Sequence, residues 1–146
     1  MRHEVRAFDE LSLRQLYALL KLRSDVFVVE QNCVYGDIDG RDFDAVHVLL
    51  YDEEDVLQGY LRVYRHEDGT IRIGRVVSRT RGKNYGRMVL QDGIQVAESA
   101  FKAEEIVIEA QVYAIPFYAK EGFITASEEF LEDGIPHVRM IRRTPK

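Results

Sequence analysis

One cysteine, Cys33, occurs in 146 residues, so the chain cannot close an internal disulfide and a reducing compartment is expected. Its four histidines are scattered, with no spacing that would assemble a metal site, so no metal is expected. No apolar run approaches the ~18 residues that cross a bilayer. The opening Met1-Arg2-His3-Glu4 also lacks the character of a secretion signal. A cytoplasmic protein without a membrane partner is the expectation. Internal repeats, low-complexity segments and Pro- or Ser-rich linkers are missing too, which points to one domain over residues 1–146. The net charge of −5 argues against general nucleic-acid binding. Neither G-x-x-x-x-G-K-[ST] nor G-x-G-x-x-G with a downstream acid is present, which removes the commonest nucleotide-binding loops.

What is there is a segregation of charge. Between Gly69 and Gln91 stand Arg72, Arg75, Arg79, Arg81, Lys83 and Arg87 with no acidic residue. Between Glu30 and Asp55 the balance reverses, with Glu30, Asp37, Asp39, Asp42, Asp44 and the run Asp52-Glu53-Glu54-Asp55 against Arg41 alone. A basic island in an acidic chain suits a specific anionic ligand. Two solvated faces explain the charges equally well.

Hydrophobic periodicity gives the elements. His3–Phe8 reads as a short strand. Ser12 opens a helix as N-cap, with Gln15 completing a capping box, and Leu13, Leu16, Tyr17, Leu20 and Phe27 form its apolar stripe. Cys33–Asp44 is a Gly- and Asp-rich loop with room for a short helix. Ala45–Tyr51, Val56–Tyr64 and Thr70–Val77 read as strands, the last two joined by a tight turn at His66-Glu67-Asp68-Gly69. A helix from Asn84 to Phe101 follows, its apolar face carrying Leu90, Ile94, Ala97 and Phe101 beside Val89 and Val96. Ile106–Val112 is a fifth strand. Pro116 starts a short helix that Gly122 ends, and a last strand, His137–Ile141, follows a turn at Gly134-Ile135-Pro136. The order implies a mixed α/β sheet with helices on both faces.

The junction Val76–Arg87 carries the most chemistry. A strand runs through a Gly-containing turn into a helix, whose exposed N–H groups attract an anion. Gly82 and Gly86 let a phosphate approach the backbone, and Asn84 accepts left-handed geometry cheaply. Arg81, Lys83 and Arg87 add positive charge. Taken alone this pattern serves a structural turn as well as a phosphate site.

Arg81-x-x-Asn84-x-Gly86 between strand and helix resembles the [Q/R]-x-x-G-x-[G/A] signature of the GNAT superfamily of N-acetyltransferases. In the same order, Gln111, Ala114, Phe117-Tyr118 and Gly122-Phe123 resemble that superfamily's N-x-x-A-x-x-F-Y-x-x-x-G-F segment. Val26–Asn32, Asp39-Gly40-Arg41-Asp42, Ile73-Gly74-Arg75-Val76 and Asp133-Gly134-Ile135-Pro136-His137 are similar to the ElaA-type branch, so the likeness spans nearly the whole chain. There are departures. Asn84 stands for the middle glycine, Gln111 for asparagine and Ser78 for a frequent proline, and the stretch from Arg75 to Arg81 looks about two residues short. The last leaves the register at the end of the fourth strand open.

The resemblance implies a central, mostly antiparallel sheet whose fourth and fifth strands run parallel and splay apart. It implies acetyl-CoA as co-substrate and a primary amine of a small molecule or peptide as acceptor. Val76 and Val77 would pair with the pantetheine arm, and a backbone N–H there would polarise the thioester carbonyl, an oxyanion-type contribution of about 3 kcal/mol. Arg81, Gly82, Lys83, Asn84, Tyr85, Gly86 and Arg87 would hold the pyrophosphate, with Gln111 and Phe117 completing the cofactor site. Tyr118 would protonate the departing thiolate. Glu30, partly buried after Val26–Val29, is the expected base; His47, His137 or a relayed water compete with it, and Cys33 is disfavoured as a nucleophile for want of a paired histidine. The acidic Glu30–Asp55 region would flank a cationic acceptor. Two other readings stand beside the enzyme: a non-catalytic acyl-CoA-binding module on the same fold, and an interaction protein that meets a basic partner. The choice between monomer and homodimer is open.

Overall fold

The apolar runs between residues 46 and 78 fold as a meander of β2 (Val46–Tyr51), β3 (Leu57–Arg65) and β4 (Ile71–Ser78), with β1 (Arg2–Ala7) added to the outer edge of β2. The chain then crosses through α2 (Tyr85–Ser99) and returns as β5 (Glu105–Gln111), parallel to β4. After α3 (Ile115–Ala119) come the short β6 (Ile124–Thr125) and β7 (Phe130–Glu132), both pairing with the long β8 (Ile135–Arg143), which lies antiparallel to β5. The computed structural model describes residues 1–145. Its sheet has eight strands in the order β1-β2-β3-β4-β5-β8-β6, with β7 on β8. This is the mixed, mostly antiparallel sheet with parallel β4 and β5 that the resemblance implies.

Successive residues of a strand face opposite sides, and here both sides are apolar. Val48, Leu50, Leu61 and Val63 pack with Leu90, Ile94 and Ala97 of α2 and with Tyr118 and Phe123. Leu49, Tyr51, Tyr60 and Val77 pack with Leu19, Leu22 and Val26 from the first helix. Each such buried side chain contributes roughly 1.5–3 kcal/mol. The approach of α2 to β3 explains a glycine in mid-helix. A Cβ on Gly93 would stand 2.7 Å from Leu61 Cδ2.

The first helix, α1 (Leu13–Arg23), starts at the expected capping box: Gln15 N donates to Ser12 Oγ and Ser12 N to Gln15 Oε1, both at 3.0 Å. Its stripe is displaced from the expected one. Leu13 and Tyr17 are exposed, and Leu19, Leu22 and Val26 form the buried face, flanked by Leu16 and Leu20. Without a break α1 becomes a π-helical segment, Ser24–Glu30, the wide turn that frequently marks functional sites. The loop after it holds only a 3₁₀ turn at Arg41–Asp44.

Residues 133–137 differ from expectation. The turn is Asp133-Gly134, both at positive φ (52° and 76°), and Ile135 and Pro136 already belong to β8. A two-residue Asp-Gly loop with positive φ at both positions matches strand twist in a hairpin. Pro136 is tolerated because β7 is too short to demand a full ladder.

Candidate active site

β4 does not stay in register. Tyr60 pairs with Val77 and Arg62 with Gly74, so Leu61 alone faces Arg75 and Val76. This is a β-bulge, and Arg75 takes a φ of 54° to make it. The open register at the end of the fourth strand therefore resolves into a bulge. Pairing with β5 is confined to Ile71–Ile106 and Arg72–Val107. Beyond those positions β4 diverges from β5, and the main-chain groups along that edge have no strand partner. Such an edge accepts an extended, amide-bearing ligand as an extra strand.

The diverging strand ends in the turn that carries Gly82 at φ 78° and Asn84 at φ 63°, and α2 starts at Tyr85. Asn84 makes no side-chain cap, so its value here is its left-handed backbone. The first N–H groups of α2 thus open onto a cavity of about 590 Å3, within the usual range of small-molecule sites. Val76, Val77, Arg81, Gly82 and Asn84 line it, as do Tyr85, Gly86, Arg87, Phe117 and Tyr118. Gln111 lines the adjoining cavity between β4, β5 and β8, where its Nε2 donates to Gln31 Oε1 at 3.2 Å. The two cavities share Phe27, Gln31, Val76, Tyr113, Ala114 and Tyr118, so Tyr118 stands at their junction. Lys83 and Glu30 line neither.

Tyr118 is buried on α3, its ring edge-on to Phe117 (5.0 Å between centroids) and to Phe123 (5.9 Å). Burial, and to a lesser degree Tyr113, pushes its hydroxyl above the usual phenol range, so it stays protonated and able to donate.

Two charge expectations need correction. Glu30 is not partly buried. It lies with Val29 on the outward side of the π segment, its side chain 58% exposed, and meets Arg81 Nη2 at 3.1 Å. Nor is the acidic segment one open face: Asp44 and Glu53–Asp55 are exposed, but Asp37, Asp39 and Asp42 turn inward onto arginines. Asp37 and Asp42 are buried, where they bind Arg23, while Asp39 and Asp42 bind Arg62. Arg75 reaches Asp37 and Asp39, and Arg72 reaches Asp68 and Glu109. Of the basic stretch only Arg75 and Arg81 pair with the acidic one, whose buried carboxylates are neutralised chiefly by Arg23 and Arg62. His47 is equally consumed: its ring nitrogens lie 2.6 Å from Tyr60 Oη and 2.9 Å from the Asp42 carbonyl, and burial lowers its proton affinity.

The carboxylates that do reach the cleft are Glu109, Glu132 and Asp133, from β5 and the β7–β8 hairpin. Sequence reading missed them because they lie apart in the chain and only the β5–β8 pairing unites them. The Asp133-Gly134 hairpin signal was the available clue. Among the described residues, no group of His, Cys, Asp and Glu is arranged to hold a metal ion, and no helix is long and apolar enough to cross a membrane.

A sheet opened between parallel β4 and β5, with an anion-suited helix start at one mouth and a buried tyrosine at the centre, defines a GNAT-type acyltransferase fold with its cleft formed. The chain belongs to the GNAT acetyltransferase family, whose model matches residues 23–144. It is 40% identical to the protein ElaA of Escherichia coli over 140 residues, 92% of this chain and 91% of that one. The ElaA crystal structure superposes with a TM-score of 0.89 over 97% of this chain and 99% of that chain, at 37% identity. An acyl-CoA N-acyltransferase from Pseudomonas aeruginosa superposes with a TM-score of 0.88, also at 37% identity and over 97% and 99% of the two chains. An uncharacterised N-acetyltransferase of Bacillus subtilis is 33% identical over 132 residues, covering 88% of this chain and 92% of its own.

Proposed function

We propose that the chain transfers an acetyl group from acetyl-CoA to a primary amine by direct attack. The observation that carries this reading is the continuous track from the unpaired edge of β4, past Tyr118, to the helix start at Tyr85. The pantetheine amides add to β4 near Val76 and Val77, and the pyrophosphate lies on the Arg81–Gly86 turn with Arg87 at its flank. A main-chain N–H beside the bulge faces the thioester carbonyl, stabilising the oxyanion that forms. Holding amine and thioester together in the adjoining cavity supplies the orientation that a bimolecular aminolysis lacks. Tyr118 hands its proton to the leaving thiolate. The names of the P. aeruginosa and B. subtilis relatives support the same class of reaction.

The test is twofold. Acetyl-CoA and CoA are expected to raise the melting temperature, with about 2.7 kcal/mol of stabilisation at a hundred times Kd. CoA is then released from acetyl-CoA only when an amine is supplied. Absence of any thermal shift with either ligand would remove the reading.

A further inference from the structure

The cavity beyond Tyr118 holds a histidine that the acetyl-transfer reading leaves without a task. His137 is 7% exposed and sits opposite Gln111 in the β5–β8 register. Its Nδ1 lies 2.7 Å from the carbonyl oxygen of Ile135. A carbonyl only accepts, so Nδ1 carries the hydrogen and the lone pair is left on Nε2. On that edge of the ring, Nε2 is 3.4 Å from Glu132 Oε2. Phe130 stacks on the imidazole with 6.0 Å between centroids, which fixes its plane.

Glu132 is itself held. Burial and the neighbouring Glu109 raise its carboxyl above the ordinary range, and the His137 ring works against that rise. Arg72 Nη1 at 3.1 Å and Arg139 Nη2 at 3.8 Å lie on Glu109, whereas Glu132 faces the His137 ring, so a proton arriving on that ring favours the ionised form of Glu132 beside it. His137, Glu132 and Glu109 line the same cavity as Gln111 and Tyr118. The other titratable groups named as bases lack this placement: Glu30 faces outward onto Arg81, and both ring nitrogens of His47 are engaged.

We propose that Nε2 of His137 takes the proton from an acceptor that enters as an alkylammonium, with Glu132 as the residue that positions the ring. The inference rests on the acetyl-transfer reading and deepens it. The ammonium gives one proton to Nε2, and the freed amine attacks the carbonyl carbon, forming the C–N bond. The tetrahedral adduct collapses with cleavage of the C–S bond. The thiolate takes the Tyr118 proton, and the adduct nitrogen returns its surplus proton to the Tyr118 oxygen. The products are the amide, CoA thiol and an imidazolium, which loses its proton to solvent.

The test compares two amines, 1,5-diaminopentane and methoxyamine, the second already unprotonated at neutral pH. His137→Asn keeps a donor for the Ile135 carbonyl and removes the lone pair. CoA release from acetyl-CoA is expected to fall about 100-fold with the diamine, the lower end for general-base catalysis, and to stay within about threefold with methoxyamine. Glu132→Gln, which keeps the side chain's shape, is expected to show a smaller loss with the diamine and none with methoxyamine. An equal loss with both amines, or no loss with either, overturns the assignment. So does a Glu132→Gln enzyme with unaltered discrimination between the amines, a readout that stands if His137→Asn does not fold. If the wild type releases CoA with neither amine although acetyl-CoA stabilises it, catalysis by acetyl transfer fails and this inference with it. If acetyl-CoA does not bind at all, the cofactor assignment is what fails.

Discussion

Arg75 Nε lies 2.8 Å from Asp37 Oδ1, and the same guanidinium donates from Nη2 to the Asp37 carbonyl at 3.0 Å. This contact fastens the β4 bulge to the loop that follows the π segment. Asp37 is fixed from behind by the buried Arg23, whose Nε stands 3.0 Å from its other carboxylate oxygen. A left-handed backbone costs a non-glycine residue roughly 1–2 kcal/mol, and Arg75 adopts it at φ 54° because this network over-determines its position. Arg75→Ala and Asp37→Ala should each lower the melting temperature. Their double-mutant cycle should return a coupling of about 1–3 kcal/mol. If acetyl-CoA adds to β4 as proposed, turnover in Arg75→Ala should fall further than acetyl-CoA binding, because the bulge would aim the main chain at the thioester. Additive effects of the two substitutions would show that the clamp is not a unit.

Tyr118 offers a cleaner separation of chemistry from binding. The residue lines both cavities, and its ring is packed by Phe117 and Phe123. Tyr118→Phe keeps the packing and removes only the donor. General-acid assistance contributes about 100- to 10,000-fold, so kcat should fall by at least about 100-fold while CoA-induced stabilisation is retained. Steady-state kinetics with thermal shifts in parallel check this. Unchanged turnover would take Tyr118 out of the mechanism.

How much of this was legible beforehand follows from how local each signal is. Strands β2 to β4 were readable because alternation and the Asp68-Gly69 turn lie within a few residues of one another. The Ser12–Gln15 capping box is a four-residue pattern and forms as read. The strand–turn–helix junction was readable for the same reason, since Val76 to Arg87 is one contiguous stretch. The bulge was not, because nothing in Ile73-Gly74-Arg75-Val76 demands positive φ at the arginine rather than at the glycine beside it. Nothing local marks Arg23 for burial, yet it is fully buried, bound to carboxylates 14 and 19 residues away. The acceptor side suffers most, because Glu109, Glu132 and His137 meet only through β5–β8 pairing.

The buried ion network makes stability depend on acid. Burial by itself would raise the Asp42 carboxyl, but the hydrogen bond from Arg23 and the charges of Arg23 and Arg62 outweigh it and hold it below its ordinary value. Asp39 is likewise held well below the carboxylate range against burial, chiefly by the hydrogen bond from Arg62. A depressed folded value means that the unfolded chain binds protons first as pH falls. The stabilisation is therefore complete above the unfolded carboxylate value near 4 and drains away below it. Melting temperature should be level from about pH 7 to 5 and drop steeply below about pH 4. Asp42→Asn, which strands part of a buried pair, should cost about 3–5 kcal/mol at neutral pH and flatten the acid slope. A wild-type melting temperature indifferent to pH between 5 and 3 would contradict the assignment.

Asn84 tests whether the turn before α2 works through its backbone. It occupies the place of the signature's middle glycine, takes φ 63°, and makes no side-chain cap to the helix. If only the left-handed geometry matters, Asn84→Gly should leave fold and ligand response intact, since glycine adopts that region freely. Asn84→Val retains comparable bulk but carries a β-branched side chain at positive φ, a pronounced outlier. The valine chain should escape that strain of roughly 1–2 kcal/mol by moving the turn, which would rotate the first N–H groups of α2 away from the proposed pyrophosphate position. The expected result is a modest loss of melting temperature without ligand and a much larger loss of the CoA-induced shift. An Asn84→Gly protein that no longer responds to CoA would instead assign the asparagine amide a direct contact with the cofactor.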